Sequence, residues 1–177
     1  MKINLTEHID NFFVGLYKHY NKEKHMKVLM AVSGGIDSMV MANIICSLQK
    51  KYDLSLGLIH INHNLRTDSI LDKLLCEEFC SKYNVEFFER TLNPKYIGKQ
   101  SIEAWCRNKR YFHFTTIAKL SNYDAIVTAH HLDDQIETYY MKMKQTNDVI
   151  QLSGIRKNWN NIYRPLLEIP KSQIRNY

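Results

Sequence analysis

Val28-Leu29-Met30-Ala31-Val32-Ser33-Gly34-Gly35-Ile36-Asp37-Ser38 decides the fold: an apolar run of strand length passes through paired glycines into a second apolar run, Ser38-Met39-Val40-Met41-Ala42-Asn43-Ile44-Ile45, of helix length. A strand, a glycine turn and a helix in that order make a seat for an anion. Glycines let backbone N–H groups approach oxyanions closely, the helix N-terminus adds its positive dipole end, and the Ser33 and Ser38 hydroxyls are further donors. A glycine turn that merely opens a helix is the plainer alternative, but it gives the two serines and Asp37 nothing to do.

Outward from this stretch the chain alternates. Leu5, Ile9, Phe12, Phe13, Leu16 and Tyr20 recur at helical spacing, with Asn4 and Glu7 as a capping pair. Leu54 to Ile61 reads as a second strand, and Asp68 caps a helix bearing Ile70, Leu71, Leu74, Leu75 and Phe79. Val85 to Thr91 is a third strand and Leu92 to Gln100 a loop. Ser101 caps a helix reaching about Leu120, and Ala125 to Thr128 is a fourth strand. Strands alternating with helices of this length predict an α/β fold, a parallel sheet with helices on both faces. Ligands of such sheets gather at the C-terminal ends of the strands, so three polar clusters, 33–38, 60–66 and 128–134, are expected on one rim. Beyond them Gln145 to Asn161 is polar and aperiodic, Tyr163 to Leu167 is a last strand or extended segment, and Pro170 starts a helix.

With 45% hydrophobic residues the 177-residue chain builds one real core, which excludes a disordered tail. No apolar stretch reaches the roughly 18 residues of a membrane span, and the N-terminus lacks a signal-peptide pattern, so no membrane partner and a cytoplasmic location are expected. Cys46, Cys76, Cys80 and Cys106 form no Cys-x-x-Cys pair and read as reduced apolar fillers. The net charge of +6 is compatible with a polyanionic partner without requiring one.

Three further clusters can bear chemistry. In Thr128-Ala129-His130-His131-Leu132-Asp133-Asp134-Gln135-Ile136-Glu137-Thr138, Asp134 and Glu137 share a helix face and can hold an ammonium group or a magnesium ion. The bland alternative is that Asp133 caps the helix while the other acids favour its dipole. In Glu103-Ala104-Trp105-Cys106-Arg107-Asn108-Lys109-Arg110-Tyr111, Arg107 and Arg110 can point at one anion, or belong to a solvated basic face; Trp105, Tyr111 and Phe112 read as core. In His60-Ile61-Asn62-His63-Asn64-Leu65-Arg66 either histidine is a core residue or a ligand contact.

SGGIDS lacks the Lys-Ser/Thr pair of a Walker loop and resembles the PP-loop of the N-type ATP pyrophosphatases, which cut ATP between its α and β phosphates. Taken with HINHNLR, EAWCRNKRY, TAHHLDDQIET and YRPLL, it resembles the tRNA(Ile)-lysidine synthetases over about Val28 to Leu167. The resemblance implies a Rossmann-like PP-loop domain that uses ATP and Mg2+. Such a domain adenylates the wobble cytidine of tRNA(Ile) with a CAU anticodon and lets L-lysine displace AMP. It implies that Ser33, Gly34, Gly35, Asp37, Ser38 and His63 bind the nucleotide, with Asp37 at the metal. Arg107, Arg110 and His130 stabilise the adenylate, and Asp134 and Glu137 take the lysine amine. Residues 1–177 then form a single N-terminal catalytic domain, with the family's C-terminal tRNA-binding domains outside this chain and the oligomeric state open, a dimer included.

One departure is plain. Where that family carries a glycine-rich, arginine-containing stretch, this chain has Lys144-Gln145-Thr146-Asn147-Asp148, so that loop differs in shape and charge. Two alternatives stay open: a tRNA 2-thiolation enzyme of the same superfamily, and a nucleotide-binding fragment without full activity.

Overall fold

A computed structural model of the chain describes residues 3–23, 25–65, 69–93, 101–145 and 154–177. The expected Asp68 cap, most of the 92–100 loop and the variant residues 146–148 lie outside the described residues.

Helix α1 (Leu5–Tyr20) opens on Asn4, whose side chain accepts from the Glu7 N–H at 3.3 Å, and ends on Asn21 in the left-handed region. It buries Leu5, Ile9, Phe13, Leu16 and Tyr17, the stripe its spacing predicts. There follow β1 (Met26–Ala31), α2 (Ile36–Ser47), β2 (Leu54–Asn62), α3 (Ser69–Tyr83), β3 (Glu86–Thr91), α4 (Ile102–Leu120), β4 (Ala125–Thr128), α5 (Leu132–Gln145), β5 (Asn158–Trp159), β6 (Ile162–Tyr163) and α6 (Lys171–Arg175). The strands form one sheet in the order β3-β2-β1-β4-β6-β5, parallel except for β5.

Strand alternation divides the core between the two sheet faces. Val28 and Met30 of β1, Leu56 and Leu58 of β2, and Val127 of β4 point to the face covered by α1, α2, α3 and α6. Leu29, Ile59 and Ile126 point to the other, where α4 packs through Trp105, Phe114, Ile117 and Ala118. Leu29, Met30, Leu58, Ile59 and Ile126 are fully buried, each such side chain contributing about 1.5–3 kcal/mol. On the α4 face Gly57 is obligatory: a Cβ there would stand 2.1 Å from the Tyr123 hydroxyl, which crosses β2 to donate to Glu86 at 2.7 Å.

The chain leaves β1 toward β2 on one side and reaches β4 on the other, so the strand order reverses between β1 and β4. At such a switch point the flanking loops part and leave a crevice.

Two expectations need correcting. The segment 163–167 is not a strand: β6 is only Ile162–Tyr163, paired to β5 in a hairpin whose two-residue turn places Asn160 at φ 52°, and 165–168 is a turn. Asparagine tolerates that conformation, and the Asn160-Asn161 pair is its local signal. Phe112 is not core but 59% exposed, whereas Trp105 is buried and Tyr111 half-buried. All four cysteines are buried, and burial pushes Cys46, Cys76 and Cys80 up to about 12.

Candidate active site

A cleft of about 300 Å³ opens where β1 and β4 end, within the size range of small-molecule sites. Its floor is Ala31, Val32, Thr128 and Ala129; Ile59, Ile61 and Phe114 make an apolar flank. Into it project Ser33, Gly35, Asp37, Ser38, His63, Arg110, His130, His131, Asp134 and Lys171.

The glycine loop is held by its own hydroxyls. Ser38 Oγ donates to the Gly35 carbonyl at 2.8 Å and accepts from the Ser33 N–H at 3.2 Å, while Ser33 Oγ accepts from the Gly35 N–H at 3.3 Å. Ser38 is buried and its hydroxyl serves the loop's shape; Ser33 stays exposed. Gly34 has φ 88°, and a Cβ on it would lie 2.7 Å from Asp72 Cβ and 3.0 Å from Asp72 Cα. No other residue fits there without moving α3. Gly35 is the N-cap of α2 and makes no side-chain cap hydrogen bond to the first N–H groups of that helix.

Asp37, on the first turn of α2, is the hub of the cleft. Its Oδ2 lies 3.4 Å from Lys171 Nζ and 3.5 Å from His131 Nε2, while its Oδ1 is buried with no hydrogen-bond partner among the described residues. His131 is fixed from behind by a reciprocal cap of α5: the His131 N–H donates to Asp134 Oδ2 at 2.8 Å, and the Asp134 N–H to His131 Nδ1 at 3.4 Å. The expected cap, Asp133, is used elsewhere. It accepts from the Lys171 N–H at 2.8 Å, a bond that holds its carboxyl below the usual range and docks α6 beside the cleft.

His130 Nδ1 is 2.9 Å from Thr128 Oγ1. Burial first, then the positive field of Arg164, Arg110 and Arg107, pushes its pKa down to about 3, so it is a neutral hydrogen-bonding group at pH 7. Burial likewise lowers Arg110.

The structure thus brings together Ser33, Gly35, Asp37, Ser38, His63, Arg110, His130 and Asp134, with Gly34 shaping the loop between them. It separates two others. Arg107 is exposed and lines a neighbouring groove with its guanidinium over the Tyr111 ring at 5.6 Å; Glu137 is exposed one turn further along α5, outside the cleft lining. His131 and Lys171 are the cleft residues that sequence reasoning left out. His131 sat in a quoted cluster behind its neighbour; Lys171 had no signal beyond Pro170, because only docking of α6 brings it to Asp37.

A phosphate-shaped glycine loop at a topological switch point, with a carboxylate inside it, defines a nucleotide site of the PP-loop class, and the chain belongs to the PP-loop domain family, whose model matches residues 6–177. Its curated relatives include tRNA(Ile)-lysidine synthases. That of Streptococcus thermophilus (strain CNRZ 1066) is 37% identical over 155 residues, which is 85% of this chain and 36% of the relative. That of Mycoplasma mycoides subsp. mycoides SC is 36% identical over 164 residues, 89% of this chain and 40% of the relative. The chain therefore spans well under half the length of these relatives. Among solved structures the U34-tRNA thiolase NcsA from Methanococcus maripaludis shares the fold, with a TM-score of 0.74 and 21% identity over 99% of this chain and 68% of that one.

Proposed function

We propose that the chain adenylates the C2 carbonyl oxygen of the wobble cytidine of tRNA(Ile) with a CAU anticodon, then passes that carbon to the ε-amine of L-lysine. In the first step the carbonyl oxygen attacks the α-phosphorus and the α–β anhydride breaks, releasing diphosphate; in the second the amine attacks C2 and AMP leaves. The observation behind this reading is the company Asp37 keeps: one cleft holds the glycine loop, a cation at Arg110 and a second carboxylate at Asp134. The N-terminus of α2 and the glycine loop receive phosphate, and Arg110 faces charge building on it. Neutral His130 donates or accepts a hydrogen bond without adding charge. Asp134 complements an ammonium group.

Mg2+ fits the donor set. The orphaned Oδ1 of Asp37 is a buried carboxylate oxygen in the cleft with no hydrogen-bond partner among the described residues, and magnesium commonly takes one or two carboxylates with phosphate oxygens and waters. Held there, the ion would supply positive charge to the phosphate oxygens.

The relatives named above as lysidine synthases, and not merely the fold, favour this substrate over sulfur transfer. Thiolation by a protein thiol needs an accessible sulfur of low pKa, whereas all four cysteines are buried and three stand near 12. The test is to incubate the protein with ATP, Mg2+, L-lysine and a tRNA(Ile) transcript, separate the nucleotides and weigh the anticodon fragment. AMP, diphosphate and a lysine-sized mass increase are expected. ADP with orthophosphate overturns the reading, as does modification that needs a sulfur donor in place of lysine.

A further inference from the structure

Beside the nucleotide cleft, across Tyr111, a second concavity lies between α4 and the β5–β6 hairpin. Arg107, Tyr111, Lys142, Arg156, Trp159 and Arg164 line it. Two of these residues are hard to explain by folding alone. Arg164 is 4% exposed, yet its guanidinium donates only to neutral oxygens, the Arg156 carbonyl at 2.8 Å and the Tyr111 hydroxyl at 3.1 Å, and its Nε has no partner among the described residues. A cation buried without a counter-charge is costly, and an anion in the groove would complete it. Trp159 is the reverse case, an indole 46% exposed on a hairpin, its ring edge-on to Tyr111 at 6.1 Å in a groove that Arg107, Arg156 and Arg164 also line.

Cations that follow a phosphate backbone, interleaved with rings that accept bases, are the recognition chemistry of single-stranded nucleic acid. An acidic peptide would satisfy the cations but has no use for an exposed indole. A free nucleotide is already served by the loop at Asp37. Arg107, 5.6 Å from the centre of the Tyr111 ring, adds a cation beside an aromatic, a pairing suited to a phosphate and a base.

We propose that this groove holds one nucleotide of a single-stranded RNA segment next to the reacting base, with the base stacked on Trp159 and its phosphate at Arg164 and Arg107. The inference rests on the RNA-modifying reading above and adds to it the place where the neighbouring strand is gripped. Tyr111 forms a wall of both spaces, so a strand held here enters the cleft from the α4 side.

The chain has two tryptophans, and Trp105 is 5% exposed, so Trp159 is a built-in probe. In a Trp105→Phe background, titration with an unstructured ribonucleotide heptamer at low salt should quench fluorescence saturably. Anisotropy of a labelled heptamer on the otherwise wild-type chain gives the same affinity without that background. Trp159→Ala should weaken binding about fivefold or more, Trp159→Tyr should restore most of it, and Arg107→Gln should reduce the salt slope by about 0.7. A flat titration, or an affinity indifferent to Trp159→Ala, overturns the proposal. So does tripolyphosphate or polyglutamate that quenches as strongly as RNA, which would make the groove a general anion surface. ATP binding by the wild-type chain is measured alongside: ATP without RNA quenching sinks the groove alone, and quenching without ATP sinks the adenylation reading alone.

Discussion

The nucleotide cleft and the groove beside it share Tyr111 but are built on opposite electrostatic plans. In the cleft two carboxylates, Asp37 and Asp134, stand among two cations, Arg110 and Lys171, and Asp37 lies between Lys171 and His131. The groove has four cations and no carboxylate among its described lining residues. Balanced, mutually positioned charges suit a reaction in which charge moves, since they need little reorganisation when it does. A wall rich in cations suits affinity for a polyanion and contributes nothing directional to bond making. Catalysis and grip are therefore separable, and substitutions should separate them.

Asp37→Ala should have the largest effect. Removing the hub carboxylate should lower AMP formation by about 10²–10³-fold or more, the scale of losing one preorganised electrostatic contact at a reacting phosphate. Its loss in heptamer affinity should be at least tenfold smaller than that. Parallel losses, measured as AMP released and as anisotropy on the same preparation, would break the division between cleft and groove.

Within the cleft, Asp134 and Glu137 test whether position outweighs residue type. Asp134→Asn keeps an oxygen to cap α5 but removes the charge proposed to face the amine, and should raise the KM for lysine about tenfold to a hundredfold, with a much smaller change for ATP. Glu137→Gln, outside the lining, should change it less than about threefold. Equal effects of the two would return Glu137 to the amine site.

The loop itself offers a finer comparison. Gly34→Ala must adopt φ 88° and push against the backbone of α3, which should cost about 2 kcal/mol in urea unfolding. Gly35→Ala meets only Ser33 Oγ at 3.3 Å and should cost under about 1 kcal/mol, its damage showing instead in ATP affinity. Equal destabilisation would mean that the left-handed turn is not what the first glycine is for.

What could be read from the sequence follows the same division. The strand, the glycine turn and the helix after it are adjacent in sequence, so the loop and Asp37 were legible from one short stretch. The alternation of strands with helices was enough to expect helices on both sheet faces, though not which residue of the apolar β1 run faces which. Contacts between distant segments were not legible: Lys171 reaches Asp37 only once α6 docks through Asp133, and the groove needs Arg107, Trp159 and Arg164 from three elements. The Arg107–Arg110 pair shows a subtler limit. Three residues advance an α-helix by about 300°, leaving about 60° between the side chains, enough for Arg110 to line the cleft while Arg107 lines the groove. Spacing that permits convergence on one anion permits straddling a wall equally well. The β5–β6 hairpin was missed because two residues per strand leave no alternation to detect.

The smallest expected effect joins the two regions. His130 lies in the cleft, yet after burial the cations that depress its pKa to about 3 include Arg164 and Arg107 of the groove. Between about pH 6.5 and pH 3 the unfolded chain protonates this histidine and the folded chain does not. Stability is therefore intact above pH 6.5 and falls as the pH drops through that window, by about 2 kcal/mol at pH 5 from a slope of about 1.4 kcal/mol per pH unit. His130→Gln should remove most of this loss in urea midpoints taken from pH 7 to pH 5. A residual slope of the same sign should remain from His113, which burial also holds below its ordinary value. Arg107→Gln should raise the pH at which the folded His130 takes up its proton by only a small amount, read by NMR, and leave the loss at pH 5 nearly unchanged, because Arg107 is exposed and a lesser contributor than Arg164 and pH 5 lies well above the folded pKa. A heptamer bound in the groove should act in the same direction, its phosphate opposing the arginines, so that His130 takes up a proton more readily with RNA present. An NMR titration of His130 that ignores both Arg107→Gln and bound RNA would mean that the groove's charge stops at Tyr111.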